Sequence, residues 1–356
     1  MHELSERRLS GGYRRLSRNP GGEAMTRVAV IATGGTIAST ATDGGVVATR
    51  LAANLLESAD VTGIEVESHD LMTVGSYRMT LQNIRAISDA VASLLDRRTD
   101  PIDGIVITHG TDTMEETAIL LDLVQDDRRP VVLTGAQRAS DAPDCDGPRN
   151  LADAILVAGS PEARDLGALI VFAGRILPAR GTRKTHTAAL AAFGSVSGAN
   201  VGEVVDGTVA IKSIPKRPKP LPRPGEEFDR TRVDLIEMYP GVDGTLMRAA
   251  VAAGARGIVL AGTGIGNANP AVVDTARELV AQNVAVVLST RVPEGPVAGV
   301  YGSGGGADLV AMGIPTASGL PATQVRMLLA LWLSQHEVEA SRIRSMIEIF
   351  ADNKEE

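Results

Sequence analysis

Ile107-Thr108-His109-Gly110-Thr111-Asp112-Thr113-Met114-Glu115-Glu116-Thr117 decides how this chain is read. It closes the apolar run Gly104 to Thr108, turns at a glycine, and passes into polar residues that open a helical pattern. A strand, a glycine turn and a helix make the repeating unit of open parallel sheets, whose ligands bind just outside the carboxyl ends of the strands. Thr111 and Thr113 bring two hydroxyls there and Asp112 a carboxylate, more polar groups than a helix start needs. Thr113 and Glu116 also match the capping box, in which hydroxyl and carboxylate each satisfy an orphan backbone donor, so a helix is expected just after Thr113. Asp112 alone would also fit a first-turn acid favoured by the helix dipole, and His109 reads as a packed loop imidazole.

Working outward, Val28 to Ala32 is a second apolar run, closed by Thr33-Gly34-Gly35-Thr36. Thr36 thus stands at another strand end, either facing a ligand or capping a glycine turn. Further short runs are Val131 to Thr134, Ala168 to Ala173, Gly257 to Ala261 and Ala285 to Ser289. Their near-continuous apolarity suits strands buried on both faces, as in a parallel sheet covered by helices. Leu81 to Leu95 is apolar at Leu81, Ile84, Ile87, Val91 and Leu95, one helical face; Pro270 to Val280 and Ala322 to Leu333 follow the same pattern. The expected architecture is α/β, with two domains that are each a mainly parallel sheet flanked by helices, the N-terminal one larger.

The segment from Lys212 to Arg230 carries prolines at 215, 218, 220, 222 and 224 among basic residues, and reads as a semi-rigid linker whose charges are solvated. The expected divisions are 25–211 and 231–356 around the linker 212–230. Residues 1–24 hold five arginines and three glutamates but no long apolar run, so they read as a disordered leader or a start-site artefact rather than a signal peptide.

At 356 residues, 44% hydrophobic and 22% charged, the composition is that of a globular protein of more than one domain. A formal net charge of −8 argues against nucleic acid or an anionic membrane as partner, since both call for a concentrated basic surface. No stretch of about 18 apolar residues suggests a membrane span. Cys145 is the sole cysteine, which excludes an intrachain disulfide and any multi-cysteine metal site.

A third polar segment, Gly181-Thr182-Arg183-Lys184-Thr185-His186-Thr187, offers Lys184. An amine serves as a base where burial or neighbouring cations favour its neutral form, a role Arg183 cannot take. Lys184 beside Thr111 and Asp112 would form a hydroxyl, amine, carboxylate relay with the division of labour of a serine, histidine, aspartate triad.

Thr33 to Ala38, Ile107 to Thr117 and Gly181 to Thr187 together resemble the bacterial-type L-asparaginase family, with similarity over roughly residues 26 to 350. The resemblance implies hydrolysis of the side-chain amide of L-asparagine to L-aspartate and ammonia, without metal or organic cofactor. It places the nucleophile on Thr36 and a second catalytic cluster on Thr111, Asp112 and Lys184. Gly35, Gly110, Ser76 in the pair Gly75-Ser76, Tyr77 and Asp112 are the implied substrate contacts. Asp112 suits the ammonium of the amino acid and Ser76 its carboxylate. Backbone N–H groups near Thr111 and the adjacent glycine turn would meet the developing oxyanion. Asn269, in Gly264 to Asn269, is the implied contact to a neighbouring subunit's site, in a homodimer or homotetramer. Departures from the exported members are the lack of a tyrosine in Ser39 to Arg50, Tyr77 in place of a glutamine, and no matching acid in Val292 to Tyr301. With no export signal expected in the leader, they resemble the cytoplasmic branch or an uncharacterised bacterial relative.

Four other readings are weaker. Glutamine as substrate stays open. An amidase subunit acting on glutamyl-tRNA would need an extra N-terminal domain that twenty-four residues cannot make. An NAD-dependent oxidoreductase is suggested by Gly262-Thr263-Gly264-Ile265-Gly266, but Asn267 replaces the third fingerprint glycine and no acid near Ser289 would grip a ribose. A silent amino-acid sensor would have no need to keep Thr36, Thr111, Asp112 and Lys184 together.

Overall fold

The computed structural model describes residues 12–13, 25–42, 45–48, 56, 61–196 and 198–351. Apart from Gly12–Tyr13, the leader expected over residues 1–24 lies outside the described residues, as do 43–44 and 49–50 of the segment after Thr36.

Five strands form the parallel centre of the larger sheet, in the order β5 (Ile64–Asp70), β2 (Thr26–Ala32), β6 (Gly104–Thr108), β7 (Val131–Thr134) and β8 (Ala168–Phe172). Three short strands continue it antiparallel beyond β8: β9 (Arg175–Pro178), β12 (Gly202–Val205) and β13 (Thr208–Ile211). On the opposite edge β1 (Gly12–Tyr13) pairs antiparallel with β5. Two hairpins stand apart, β3 (Ser39–Thr42) with β4 (Gly45–Ala48) and β10 (Thr182–Lys184) with β11 (Phe193–Ser195). The C-terminal domain has a smaller, fully parallel sheet of β14 (Val233–Glu237), β15 (Gly257–Gly262) and β16 (Ala285–Thr290).

Apolarity on both strand faces has the expected cause. Val28, Val30, Val106 and Val132 point to one side and pack with Leu151, Ala154 and Ile155 of α3 (Gly147–Gly159). Ala29, Ile31, Ile105, Ile107 and Leu133 alternate to the other side, against Ile87 and Val91 of α1 (Leu81–Leu95) and Ala118 and Leu121 of α2 (Met114–Val124). From β2 the chain crosses first to β5 on one side and then to β6 on the other, so β2 and β6 flank the switch point of the sheet. Ligands of open α/β sheets sit at such a point. Ala32 lies opposite both Asp70 and Thr108, which brings the loops after β2, β5 and β6 to one place.

The segment 212–230 ends in α4 (Glu226–Arg230), and the second domain adds α5 (Thr245–Ala252), α6 (Pro270–Ala281), α7 (Gly306–Ala311), α8 (Ala322–Leu333) and α9 (Ala340–Phe350). No helix among the described residues is long and apolar enough to cross a membrane. One of the second domain's two cores is its own, and the other is shared with the first domain: Ile84, Ile119, Leu120 and Leu123 of α1 and α2 pack with Val325 and Leu328 of α8, Ile347 and Phe350 of α9 and Phe228 of α4.

The proline-rich segment differs from the expected solvated spacer. Arg217 Nε lies 3.1 Å from Asp122 Oδ1, and its Nη2 donates to the carbonyls of Asp122 and Gln125 at 3.3 and 3.0 Å. The Leu221 N–H donates to the Leu123 carbonyl at 2.7 Å. These bonds satisfy carbonyls that the last turn of α2 leaves without intrahelical donors. Proline density holds the segment extended, and the arginine within it closes a helix end.

Asp122 is buried, with 4% of its side chain exposed, and also accepts from Arg180 Nη2 at 3.0 Å. The two arginines it holds belong to the linker and to the turn after β9, and Arg180 further donates to the Phe350 carbonyl. Asp122→Ala leaves both guanidinium groups without their carboxylate, at an expected cost of about 3–5 kcal/mol. Urea unfolding at fixed protein concentration measures it; an unchanged midpoint would refute a structural role for the cluster.

Candidate active site

Three loops meet at the carboxyl ends of β5, β2 and β6, and glycines allow their approach. Gly35 has φ 81° and ψ −179°, a backbone region essentially closed to other residues, and a Cβ there would lie 2.4 Å from the Gly110 nitrogen. A Cβ on Gly110 would lie 2.5 Å from Ser76 Oγ. The turn after β2 is pinned to the end of β6 by Thr33, whose hydroxyl donates to the Thr108 carbonyl at 2.7 Å. Thr36 opens a single helical turn, Thr36–Ala38, directly after Gly35 and leads into the β3–β4 hairpin.

Lys184 reaches this place from the end of β10. Its Nζ donates to Thr111 Oγ1 and to Asp112 Oδ1, both at 2.8 Å. The Thr111 hydroxyl in turn donates to Gln137 Oε1 at 3.3 Å, and Gln137 Nε2 donates to the Ala189 carbonyl at 3.0 Å. Thr111 is buried, whereas 54% of the Asp112 side chain is exposed, so the carboxylate faces the open side of the cluster. Asp146 holds Gln137 by accepting from its backbone N–H at 3.1 and 3.0 Å.

Ser76 is buried, and its oxygen accepts from the Asp112 N–H at 3.1 Å, which leaves the hydroxyl proton free to donate. The expected capping box does not form: Thr113 makes no cap bond and donates instead to the Ser76 carbonyl at 2.9 Å. Glu116 pairs with Arg326 of α8. The helix still begins at Met114, and the hydroxyl meant for capping ties the Ser76 loop to the Thr111 loop.

Tyr77 is 75% exposed, with its ring edge over Gly75. Asn269 lies on the C-terminal domain, where Oδ1 caps α6 by accepting from Val272 N–H at 3.0 Å and Nδ2 donates to the Val242 carbonyl at 2.7 Å. None of these bonds reaches Lys184 or Thr111. His109 is fully buried, and burial pushes its imidazole down to about 4. Nδ1 lies 2.7 Å from the Gly110 carbonyl, a pure acceptor, so Nδ1 carries the proton and Nε2 accepts from the Thr117 hydroxyl at 3.0 Å. The ring is a neutral strut beneath the turn.

Sequence reasoning missed Gln137, Glu115 and Gln324. Glu115 is buried behind the cluster, its Oε2 accepting the Lys184 N–H at 2.6 Å and its Oε1 the Thr323 hydroxyl at 2.7 Å. Burial pushes this carboxyl above its ordinary range, and those two bonds pull the other way. No local pattern marks these residues, because their partners lie on other elements.

By its fold and cluster the protein is a two-domain open α/β protein with threonine, lysine and aspartate at the switch point of its larger sheet. The family model for the asparaginase N-terminal domain matches residues 27–217, and that for the glutaminase/asparaginase C-terminal domain matches residues 232–347. The chain belongs to the asparaginase family. It is 31% identical over 325 residues to an L-asparaginase of Bacillus licheniformis, covering 87% of this chain and 96% of that one. It is 37% identical over 315 residues to a probable L-asparaginase of Deinococcus radiodurans, covering 87% and 94%. The crystal structure of a probable cytoplasmic L-asparaginase from Campylobacter jejuni superposes with a TM-score of 0.81 at 31% identity, covering 90% of this chain and 99% of that one.

Proposed function

We propose that this protein is an L-asparaginase that hydrolyses the side-chain amide of L-asparagine to L-aspartate and ammonia through an acyl-enzyme on Thr36. The observation that carries the reading is the contact of Lys184 Nζ with both Thr111 Oγ1 and Asp112 Oδ1 at 2.8 Å, on a chain of the asparaginase family.

Thr36 Oγ attacks the amide carbon of the substrate, the C–N bond breaks, and ammonia leaves as an aspartyl ester forms on the threonine. Water then attacks the ester carbon, releasing L-aspartate and returning the proton to Thr36. Thr111 and Lys184 carry protons in these steps: the proton of the attacking hydroxyl passes by way of the Thr111 hydroxyl and Lys184 Nζ to the departing nitrogen, and Asp112 stabilises the lysine ammonium. Asp112 also pairs with the substrate α-ammonium, and the Ser76 hydroxyl donates to the α-carboxylate. Main-chain N–H groups of the Gly35 and Gly110 turns face the developing oxyanion as fixed dipoles that need no reorganisation.

We further propose a homodimer or homotetramer in which Asn269 of the partner subunit completes the site. Its amide retains a second N–H and a second lone pair beyond its capping bonds. Tyr239, Leu246, Val292, Val300 and Tyr301 leave apolar surface exposed on the C-terminal domain, as an interface between copies requires. Likeness to the C. jejuni protein supports a cytoplasmic location.

Ammonia release from L-asparagine, L-glutamine and D-asparagine, measured separately with Thr111→Ala as control, tests the activity. Continuous release from L-asparagine is expected, falling in Thr111→Ala to no more than the single equivalent that forms the acyl-enzyme, and glutamine is included because the C-terminal match is shared with glutaminases. Folded protein that releases no ammonia from any of the three would overturn the reading.

A further inference from the structure

Lys184 occupies the end of a three-residue strand, and a short strand does not by itself hold an amine to a fraction of an ångström. What surrounds its backbone is unusual in both burial and origin. The Glu115 carboxylate accepts the Lys184 N–H at 2.6 Å and is held in turn by the Thr323 hydroxyl at 2.7 Å, from the first turn of α8 in the C-terminal domain. The next residue, Gln324, is wholly buried. Its Nε2 lies within hydrogen-bond distance of three carbonyls, Thr182 at 2.9 Å, Ala179 at 2.8 Å and Glu115 at 3.3 Å, and its Oε1 accepts the Gly181 N–H at 2.9 Å. Of two adjacent side chains of one helix, Gln324 therefore grips the segment from Ala179 to Lys184 directly and Thr323 does so through Glu115, which belongs to α2.

We infer that Glu115 is a positioning residue for Lys184, and that with Thr323 and Gln324 it makes the placement of the catalytic amine depend on the docking of α8. The inference rests on the role proposed above for Lys184. Glu115 touches no reacting atom. It fixes the main-chain N–H of Lys184, while Thr111 and Asp112 receive the amine at the far end of the side chain. A satisfied buried network of this kind specifies one geometry, because every alternative leaves a buried donor or acceptor unpaired.

Glu115→Ala removes the acceptor from the Lys184 N–H. Displacement of a catalytic group by about an ångström costs on the order of 100-fold in rate. We expect kcat for L-asparagine to fall about 100-fold with KM changed by less than about threefold, because Asp112 and Ser76 remain in place. Glu115→Gln should restore activity: its amide carbonyl accepts from Lys184 N–H and its NH2 donates to Thr323 Oγ1. Should Glu115→Ala fail to fold, Thr323→Val, outside the substrate site, decides the matter, with an expected loss in kcat of about tenfold. Wild-type kcat in folded Glu115→Ala, or in Thr323→Val if only that variant folds, overturns the inference; so does a loss in Glu115→Gln as large as in Glu115→Ala. Lys184→Met separates the two claims: turnover that survives in it removes the role of Lys184 itself, whereas loss there with wild-type kcat in folded Glu115→Ala removes only the positioning.

Discussion

Thr36→Ala should lose at least about a thousandfold in turnover of L-asparagine while keeping its fold, since removing an attacking group leaves only binding and oxyanion stabilisation. Thr36 follows Gly35, is only partly buried and belongs to none of the hydrophobic cores, so shortening its side chain by a hydroxyl and a methyl should shift the thermal midpoint little. Rapid quenching followed by mass spectrometry locates the ester. Thr111→Ala should accumulate an aspartyl adduct on Thr36, because attack by water is then the impaired step. An adduct on Thr111 in the Thr36→Ala protein, or near-normal turnover by that protein, would reverse the assignment of nucleophile.

Lys184→Met should also abolish turnover, by about a thousandfold or more, or roughly 4 kcal/mol of transition-state stabilisation. Methionine keeps the apolar stem of the side chain but removes the amine that contacts both Thr111 Oγ1 and Asp112 Oδ1. Binding should suffer less than catalysis, because Asp112 and Ser76 stay in place. Isothermal titration with L-aspartate checks this: a dissociation constant within about tenfold of wild type is expected beside the lost kcat. Lys184→Arg should not rescue, since guanidinium does not give up its proton in the working pH range. Recovery of activity in the arginine variant would show that charge alone, without proton transfer, suffices at this position.

The parallel centre of the fold was legible in the chain because each strand is buried on both faces and reads as an unbroken apolar run. The antiparallel extension was not: β9, β12 and β13 are four residues each, with glycine, charged residues and proline among them, and give no periodic signal. For the same reason nothing in the chain marks β9 and the turn after it, which lie between β8 and the segment that carries Lys184. Within the candidate site, the placing of Thr36, Thr111 and Asp112 at strand ends was legible because glycine turns follow the apolar runs there. Thr113 was misread, since a capping pattern describes local bonds and the Ser76 carbonyl, 37 residues away in the chain, is the better acceptor. Glu115 and Gln324 were invisible for the stronger reason that they lie some two hundred residues apart and acquire their meaning only where α8 docks. Arg217 was taken as solvated because proline-rich basic segments usually are, and only the end of α2 shows what it closes.

The core shared between the domains has a consequence for how the chain is made. Ile119, Leu120 and Leu123 find their cover on α8 and α9, which are synthesised more than a hundred residues after the strands and helices of the first domain are complete. At ordinary rates of translation the outer face of α2 stays bare for on the order of ten seconds. A nascent chain paused in the proline-rich segment presents that greasy face beside a sheet already formed, the kind of surface that holding chaperones recognise. Ribosome stalling or premature termination between residues 231 and 321 would therefore yield an aggregation-prone fragment rather than a half-sized enzyme, and the two domains would not survive exchange between relatives as independent modules.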